Sequence, residues 1–185
     1  MSDPTLALAE GVVEIDDSRR IRTAHIGAAA LAVHGYTRGT QNLDVAIAVA
    51  PDSTLREFAQ ALERAGIANR LQLPDEVDPL GGVIRIWTAE DEDGRGTTVV
   101  EVVNFFKPLC PTRNPGAQTL FNAASIEGTP LRCASLQDLV ALKLYAGGRA
   151  DHADVVQLIA RTPTPNLDAI RSATGPLTVA ECWKF

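Results

Sequence analysis

Apolar residues recur along the chain in two rhythms, and the switches between them mark its elements. Over residues 4–22, Leu6, Leu8, Val12, Val13, Ile15 and Ile21 fall near helical spacing, which predicts an amphipathic helix. His25-Ile26-Gly27 reads as a short strand running into a turn, and 28–35 as a short helix ended by Gly35. Residues 43–50 form the first long strand. After Asp44 its apolar content is almost unbroken, which predicts burial on both faces, and Pro51 stops it. Ser53 then caps a helix to Ala65, with Gly66 as its stop and Leu55, Phe58, Ala59 and Leu62 along one face.

Further along, 83–88 and 97–106 make a strand pair across the polar turn 90–96. That turn holds Glu90, Asp91, Glu92 and Asp93 but lacks the spacing of an EF-hand, so it reads as a solvated turn. Pro108, Pro111 and Pro115 mark a loop, and 123–125 and 130–133 read as short strands. Ser135 starts a helix to Ala146, Gly147-Gly148 break it, and a second helix runs over 150–161. Pro163 and Pro165 precede a short last helix, and the tail 181–185 is unassigned. Strands in the first two-thirds, with helices before, between and after them, imply an α+β domain with a mixed sheet. The expected division is a core of about 20–133 and a C-terminal helical part of about 134–185.

Composition narrows the partners. The chain of 185 residues suffices for one well-buried domain, and 45% hydrophobic with 22% charged residues is ordinary for a globular protein. No apolar run approaches the roughly 18–20 residues of a membrane span. The start Met1-Ser2-Asp3-Pro4 lacks the basic segment of a signal peptide. Cys110, Cys133 and Cys182 show no paired spacing, so a reducing cytoplasm is expected. The net charge of −6 weighs against a broad nucleic-acid surface. Arg19, Arg20, Arg22 and Arg38 form either a local basic patch or, beside Asp16 and Asp17, a solvated helix face.

Candidate chemistry begins at the first long strand. Asn42 and Asp44 are two residues apart, so on a strand they stand side by side. Such a pair near a glycine turn suits a divalent cation carrying a nucleoside triphosphate, since hard cations take oxygen ligands. Gly27 permits close approach of backbone to phosphate, or simply makes a packing turn. Glu101 is the one acid in an apolar strand, where an ionised group needs a metal or an arginine such as Arg85 beside it. Asn104 competes as a ligand position on the opposite face, while His34 and His152 have no partners at metal spacing.

Two blocks resemble a known family. Gly27-Ala28 and Arg38-Gly39-Thr40-Gln41-Asn42-Leu43-Asp44 resemble the motif Gly-Gly/Ser, then Arg-x-Thr-x-Asp-hydrophobic-Asp, of AbiEii-like nucleotidyltransferase toxins, within the DNA polymerase β-type superfamily. Residues 135–155, with Lys143, Arg149, Asp151 and Asp154, resemble that family's Lys-x-x-Ala…Arg…Asp-x-x-Asp segment. The resemblance spans roughly residues 20–160, and the chain departs from the motif at Ala28 and Asn42.

The resemblance implies a nucleotidyltransferase fold and transfer of a nucleotidyl group from a nucleoside triphosphate to an acceptor such as tRNA. It also implies Mg2+ (or Mn2+) as cofactor and a cognate antitoxin as partner. By carry-over, Asn42, Asp44 and Glu101 would hold metal. Gly27, Ala28, Arg38, Thr40, Lys143 and Arg149 would hold the nucleotide, and Asp44, Glu101, Lys143 and Asp154 would serve catalysis. Each has a plainer alternative. Asn42 caps the loop, Arg38 is exposed, Lys143 snorkels from an apolar helix face, and Asp151 and Asp154 are helix N-terminal acids. Because Asn42 lacks the formal charge of a carboxylate, a catalytically degenerate nucleotide-binding or regulatory module stands as the alternative function.

Overall fold

The sheet is built outward from its most apolar strand. In the computed structural model, which describes residues 4–40, 42–76, 80–87, 98–107 and 114–175, seven strands run in the order β3-β4-β5-β2-β1-β7-β6. These are β1 (Ala24–Ile26), β2 (Leu43–Ile47), β3 (Asn69–Gln72), β4 (Val83–Trp87), β5 (Thr98–Asn104), β6 (Ala124–Ser125) and β7 (Arg132–Cys133). β2 lies parallel to β5 and antiparallel to β1, and β4 pairs antiparallel with both β3 and β5, so the sheet is mixed. The helices are α1 (Pro4–Ser18), α2 (Gly27–Val33), α3 (Arg56–Arg64), α4 (Gly116–Asn122), α5 (Leu136–Ala146), α6 (Arg149–Arg161) and α7 (Leu167–Thr174).

The alternation of β2 feeds two cores. Val45 and Ile47 pack with Val12, Leu55, Phe58, Leu62, Ile84 and Val102 under α1 and α3. Ala46 packs on the other face with Ala30, Leu31, Leu139, Val140 and Leu158 under α2, α5 and α6. Full burial of one Leu, Ile or Phe contributes on the order of 1.5–3 kcal/mol, so these two clusters anchor the strand that carries Asp44.

Asn104 closes the far end of the sheet rather than offering a ligand. It is fully buried, its Nδ2 donates to the carbonyls of Val49 (2.8 Å) and Gly81 (2.9 Å), and its Oδ1 accepts from the Val49 amide (2.9 Å). All its polar atoms are used in joining three backbone segments, and that corrects its reading as a competing ligand.

Several expected bounds shift. α1 ends at Ser18 rather than at 22, and β2 ends at Ile47 rather than at 50. Ser53 caps nothing: Pro51–Leu55 forms a π-type turn with Pro at its first position, leading into α3. β3 and α4 were not expected from the sequence. The acidic turn 90–96, Pro108, Pro111, Cys110, Cys182, the tail 181–185, Gln41 and the side chains of Leu6, Asp16 and Asp17 lie outside the described residues. Cys133 is buried, and burial pushes its thiol up to about 11, which keeps it protonated. No helix among the described residues is long and apolar enough to cross a membrane.

Candidate nucleotide and metal site

One row of side chains crosses the sheet. Ile26, Asp44, Glu101, Arg85 and Arg70 are successive register partners on β1, β2, β5, β4 and β3. Direct partners present their side chains on the same face, so two acids stand next to two arginines. Glu101 is held by Arg85, whose Nε donates to Oε1 at 2.9 Å, while Arg85 Nη1 donates to Gln72 Oε1 at 2.9 Å. The plainer reading of Glu101, an arginine partner on the next strand, is therefore satisfied.

Asp44 has a tighter setting. Gly27 follows β1 with φ +60, and a Cβ there would lie 1.9 Å from Asp44 Oδ2. Only glycine tolerates both the left-handed backbone and the carboxylate against it. Burial first, and then the Glu101 charge, push the Asp44 carboxyl up to about 6, against the opposing pull of Lys143 and Arg38. A carboxylate so disfavoured gains from any cation that reaches it. Asn42 stands beside it with Nδ2 3.3 Å from Asp44 Oδ1. Thr40 Oγ1 donates to the Asn42 carbonyl at 2.8 Å, so this pair also ties the loop.

A second charged group comes from the C-terminal helices. Ser135 Oγ accepts from the Asp138 amide and caps α5; Gly147 leaves that helix in the left-handed region at φ 69. The chain folds back so that α6 runs beside α5. Lys143 is nearly buried, with Nζ 2.7 Å from Asp151 Oδ1 and 2.9 Å from Asp154 Oδ2. Arg38 Nε lies 3.2 Å from Asp154 Oδ1. Lys143 thus does not snorkel, and the Arg38 loop is pinned to α6, an attachment that Arg161 reinforces from 5.1 Å over the Tyr36 ring. Asp151 Oδ2 also accepts from the Gly148 amide at 3.2 Å, the helix-terminal role foreseen for it.

Between the two groups lies a cavity of about 250 Å³, lined by Gly27, Asp44, Lys143 and Asp151 and walled by apolar side chains including Leu80, Val103, Phe105 and Leu142. The fold therefore brings together Gly27, Asn42, Asp44, Glu101, Lys143, Asp151 and Asp154, with Arg38 at the margin. It leaves Ala28 buried in the core and Arg149 exposed at the start of α6, without an ion pair among the described residues. His34 Nε2 lies 2.8 Å from the Ala134 carbonyl, a packing role, and His152 is exposed.

Among the described residues no three His, Cys, Asp or Glu side chains form a metal-binding group. Asp44, with the amide oxygen of Asn42 after a flip and phosphate oxygens of a nucleotide, supplies donors for one hard cation, which typically uses one or two carboxylates plus phosphates. Glu101 already shares its charge with Arg85 through Oε1, which weakens it as a further donor. The donors fit one dication and not a close pair.

The layout is that of a nucleotidyltransferase fold, a mixed sheet with helices before, between and after its strands. The antibiotic-resistance factor ANT(2'')-Ia, in a solution structure, is similar over 95% of this chain and 91% of its own, with a TM-score of 0.58 at 13% identity. A crystal structure of ANT(2'')-Ia with adenylyl-2''-tobramycin gives a TM-score of 0.54 at 13% identity, over 92% and 94% of the chains. An antigenic nucleotidyltransferase-like protein from Paracoccidioides brasiliensis gives 0.55 at 20% identity, over 95% and 88%. No family model and no curated protein matches the sequence.

Proposed function

We propose that this chain binds a nucleoside triphosphate with a single Mg2+ or Mn2+ ion in the cleft between Asp44 and Lys143, and transfers its nucleotidyl group slowly to an acceptor hydroxyl. The observation that carries this is the meeting of Gly27, Asp44 and Lys143 around one apolar-walled cavity, drawn from three distant parts of the sequence. The cation, when bound, neutralises charge on the transferring phosphate. The chain's own residues do the rest. The apolar wall suits a base, and Lys143, once it turns from Asp151 and Asp154, gives a point charge to the phosphates. Asp44, with the amide oxygen of Asn42, would hold the cation that comes with the triphosphate. In the transfer, the acceptor oxygen bonds to the α-phosphorus, the bridging oxygen leaves with pyrophosphate, and the hydroxyl proton passes to a nearby carboxylate such as Glu101.

For the acceptor, tRNA is the proposed class, with the chain as the toxin of a toxin–antitoxin pair. The ANT(2'')-Ia structure in complex with adenylyl-2''-tobramycin supports a small-molecule hydroxyl as the second class to test. A second reading rests on the Arg85–Glu101 pair. It neutralises the only other acid in register with Asp44, as a nucleotide-binding module without catalysis would tolerate. Incubation with the four radiolabelled triphosphates, Mg2+ or Mn2+, and either bulk tRNA or an aminoglycoside tests both. Label on either acceptor supports transfer. Metal-dependent triphosphate binding without label supports the binding module, and no binding at all removes both.

A further inference from the structure

At the other end of β2, roughly 13 Å along the strand from Asp44, a second cleft opens. It has a volume of about 450 Å³, and Arg19, Arg20, Arg22, Ala48, Thr54 and Phe121 are among the residues that line it. Three independent features mark it. Arg20 adopts φ 61, the only positive φ outside glycine among the described residues. It sits two residues past the end of α1, where helices commonly terminate on a left-handed glycine. An arginine there bears a backbone strain that glycine would avoid, and such outliers concentrate at functional sites. Phe121 on α4 is 68% exposed, unusual for a large apolar side chain. Arg22 lies over its ring at 5.7 Å, and the ring is still largely exposed. Arg19 is engaged by Glu57 at 3.7 Å, whereas among the described residues no carboxylate reaches Arg20 or Arg22.

We infer that this cleft binds a short segment of single-stranded nucleic acid, with one base stacked on Phe121 and two adjacent phosphates held by Arg20 and Arg22. A basic groove beside an aromatic platform is how sequence-tolerant single-strand binding is built, because every base has a face to stack. The net charge of −6 keeps the footprint local, which predicts a small salt dependence rather than a broad one. Two phosphate contacts on a single strand give a slope of log affinity against log salt of about −1.4. The inference does not depend on nucleotidyl transfer, since the cleft shares no residue with the candidate catalytic site.

Fluorescence anisotropy with a fluorescein-labelled ten-nucleotide RNA of mixed sequence tests it, across a salt series and without added nucleotide. Micromolar binding with that slope is expected. Arg20→Glu/Arg22→Glu should weaken it at least tenfold and flatten the slope, and Phe121→Ala should weaken it about tenfold. Arg20→Gly separates binding from folding: relief of the left-handed strain should raise the melting temperature while RNA binding falls several-fold. Asp44→Asn should leave RNA affinity within twofold. Three results would overturn the inference. They are unchanged binding in the arginine variants, loss of binding in Asp44→Asn, and full displacement by inorganic tripolyphosphate with no effect of Phe121→Ala.

Discussion

Arg85 and Glu101 are direct register partners on antiparallel β4 and β5, and the guanidinium Nε donates to the carboxylate at 2.9 Å. The same Glu101 is the register partner of Asp44 on β2. One acid is therefore shared between a neighbour that repels it and a neighbour that binds it. That competition governs how much negative charge a cation would meet beside Asp44.

Removal of Arg85 should turn the balance toward the metal. In Arg85→Gln, Glu101 loses its partner and Mn2+ should bind about three- to tenfold more tightly in the presence of a triphosphate, measured by titration calorimetry. The pair is partly exposed, 41% and 26% by side chain, so its loss should cost the fold no more than about 1 kcal/mol. Unchanged Mn2+ affinity would show that Glu101 takes no part in holding the cation.

Gly27 should be intolerant of any side chain, and the reason is separable. Gly27→Ala adds a Cβ 1.9 Å from Asp44 Oδ2 and forces a left-handed alanine. The left-handed backbone alone costs about 1–2 kcal/mol, and the clash adds to it. In a double-mutant cycle, Asp44→Ala should relieve the clash component but not the backbone component, so the double variant should be more stable than the sum of the two single changes by about 1 kcal/mol or more in thermal unfolding. Strict additivity would mean that the carboxylate moves aside freely.

Acidity should favour the fold at this one group while opposing its ligand. Asp44 has its carboxyl raised from 3.8 to about 6, by burial and then by Glu101. Between those values the folded chain binds more protons than the unfolded one, so stability from this group is fullest below about 4 and falls as the pH rises through 6. The difference between the wild type and Asp44→Asn in chemical unfolding should therefore widen from pH 4 to pH 7, by an amount on the order of 2 kcal/mol. Mg2+-dependent triphosphate binding should run the other way, weakening below pH 6 as the carboxyl takes up its proton. A pH-independent difference would place the carboxyl outside the buried setting.

How far the sequence could be read follows from where its information is local. The i, i+2 step from Asn42 to Asp44, the Ser135 cap and the Gly147-Gly148 break are each set by neighbouring residues, and each appears in the fold as expected. β3 left no comparable trace, because Asn69-Arg70-Leu71-Gln72 is an edge strand with a single apolar residue. α4 was masked by the prolines before it, although Asn114 Oδ1 accepting from the Gly116 amide at 3.1 Å was a local start signal. The site's pairings are different in kind. Arg85 was one option for Glu101, but only the β4–β5 register selects it. The engagement of Lys143 by Asp151 and Asp154 depends on the angle at which α6 returns along α5, which no residue pattern states.

Lys143 supports the fold as well as any phosphate. Asp154 is almost fully buried, and Lys143 and Arg38 are its cationic partners at 2.9 Å and 3.2 Å. Removal of one partner from a buried pair costs about 3–5 kcal/mol, and the remaining Arg38 should hold Lys143→Ala near the low end. Thermal unfolding should show this loss, and Lys143→Ala/Asp154→Ala should recover part of it. Nucleotide affinity is best compared in that double variant against Asp154→Ala alone, where a further drop of about tenfold is expected for the loss of the lysine.

The remaining variable beside Asp44 is Asn42. Its amide donates toward Asp44 at 3.3 Å, so the pair is joined by a hydrogen bond where two carboxylates would repel each other. That arrangement spares the apo fold a like-charge contact, at the expense of a negative charge facing the transferring phosphate. Asn42→Asp should therefore lower stability modestly in the absence of metal, raise the Asp44 carboxyl further, and restore stability when Mn2+ is added. Metal-derived charge stabilisation supplies several kcal/mol to phosphoryl-transfer transition states, and each ~1.4 kcal/mol is tenfold in rate. The chain as it stands should transfer labelled nucleotide slowly or not at all, and Asn42→Asp should accelerate transfer on the order of 10²-fold. Binding of the triphosphate should change far less than the rate, since Asp44 and Lys143 are present in both. Robust transfer by the chain as it stands with no gain from Asn42→Asp would show that an amide oxygen serves this chemistry as well as a carboxylate.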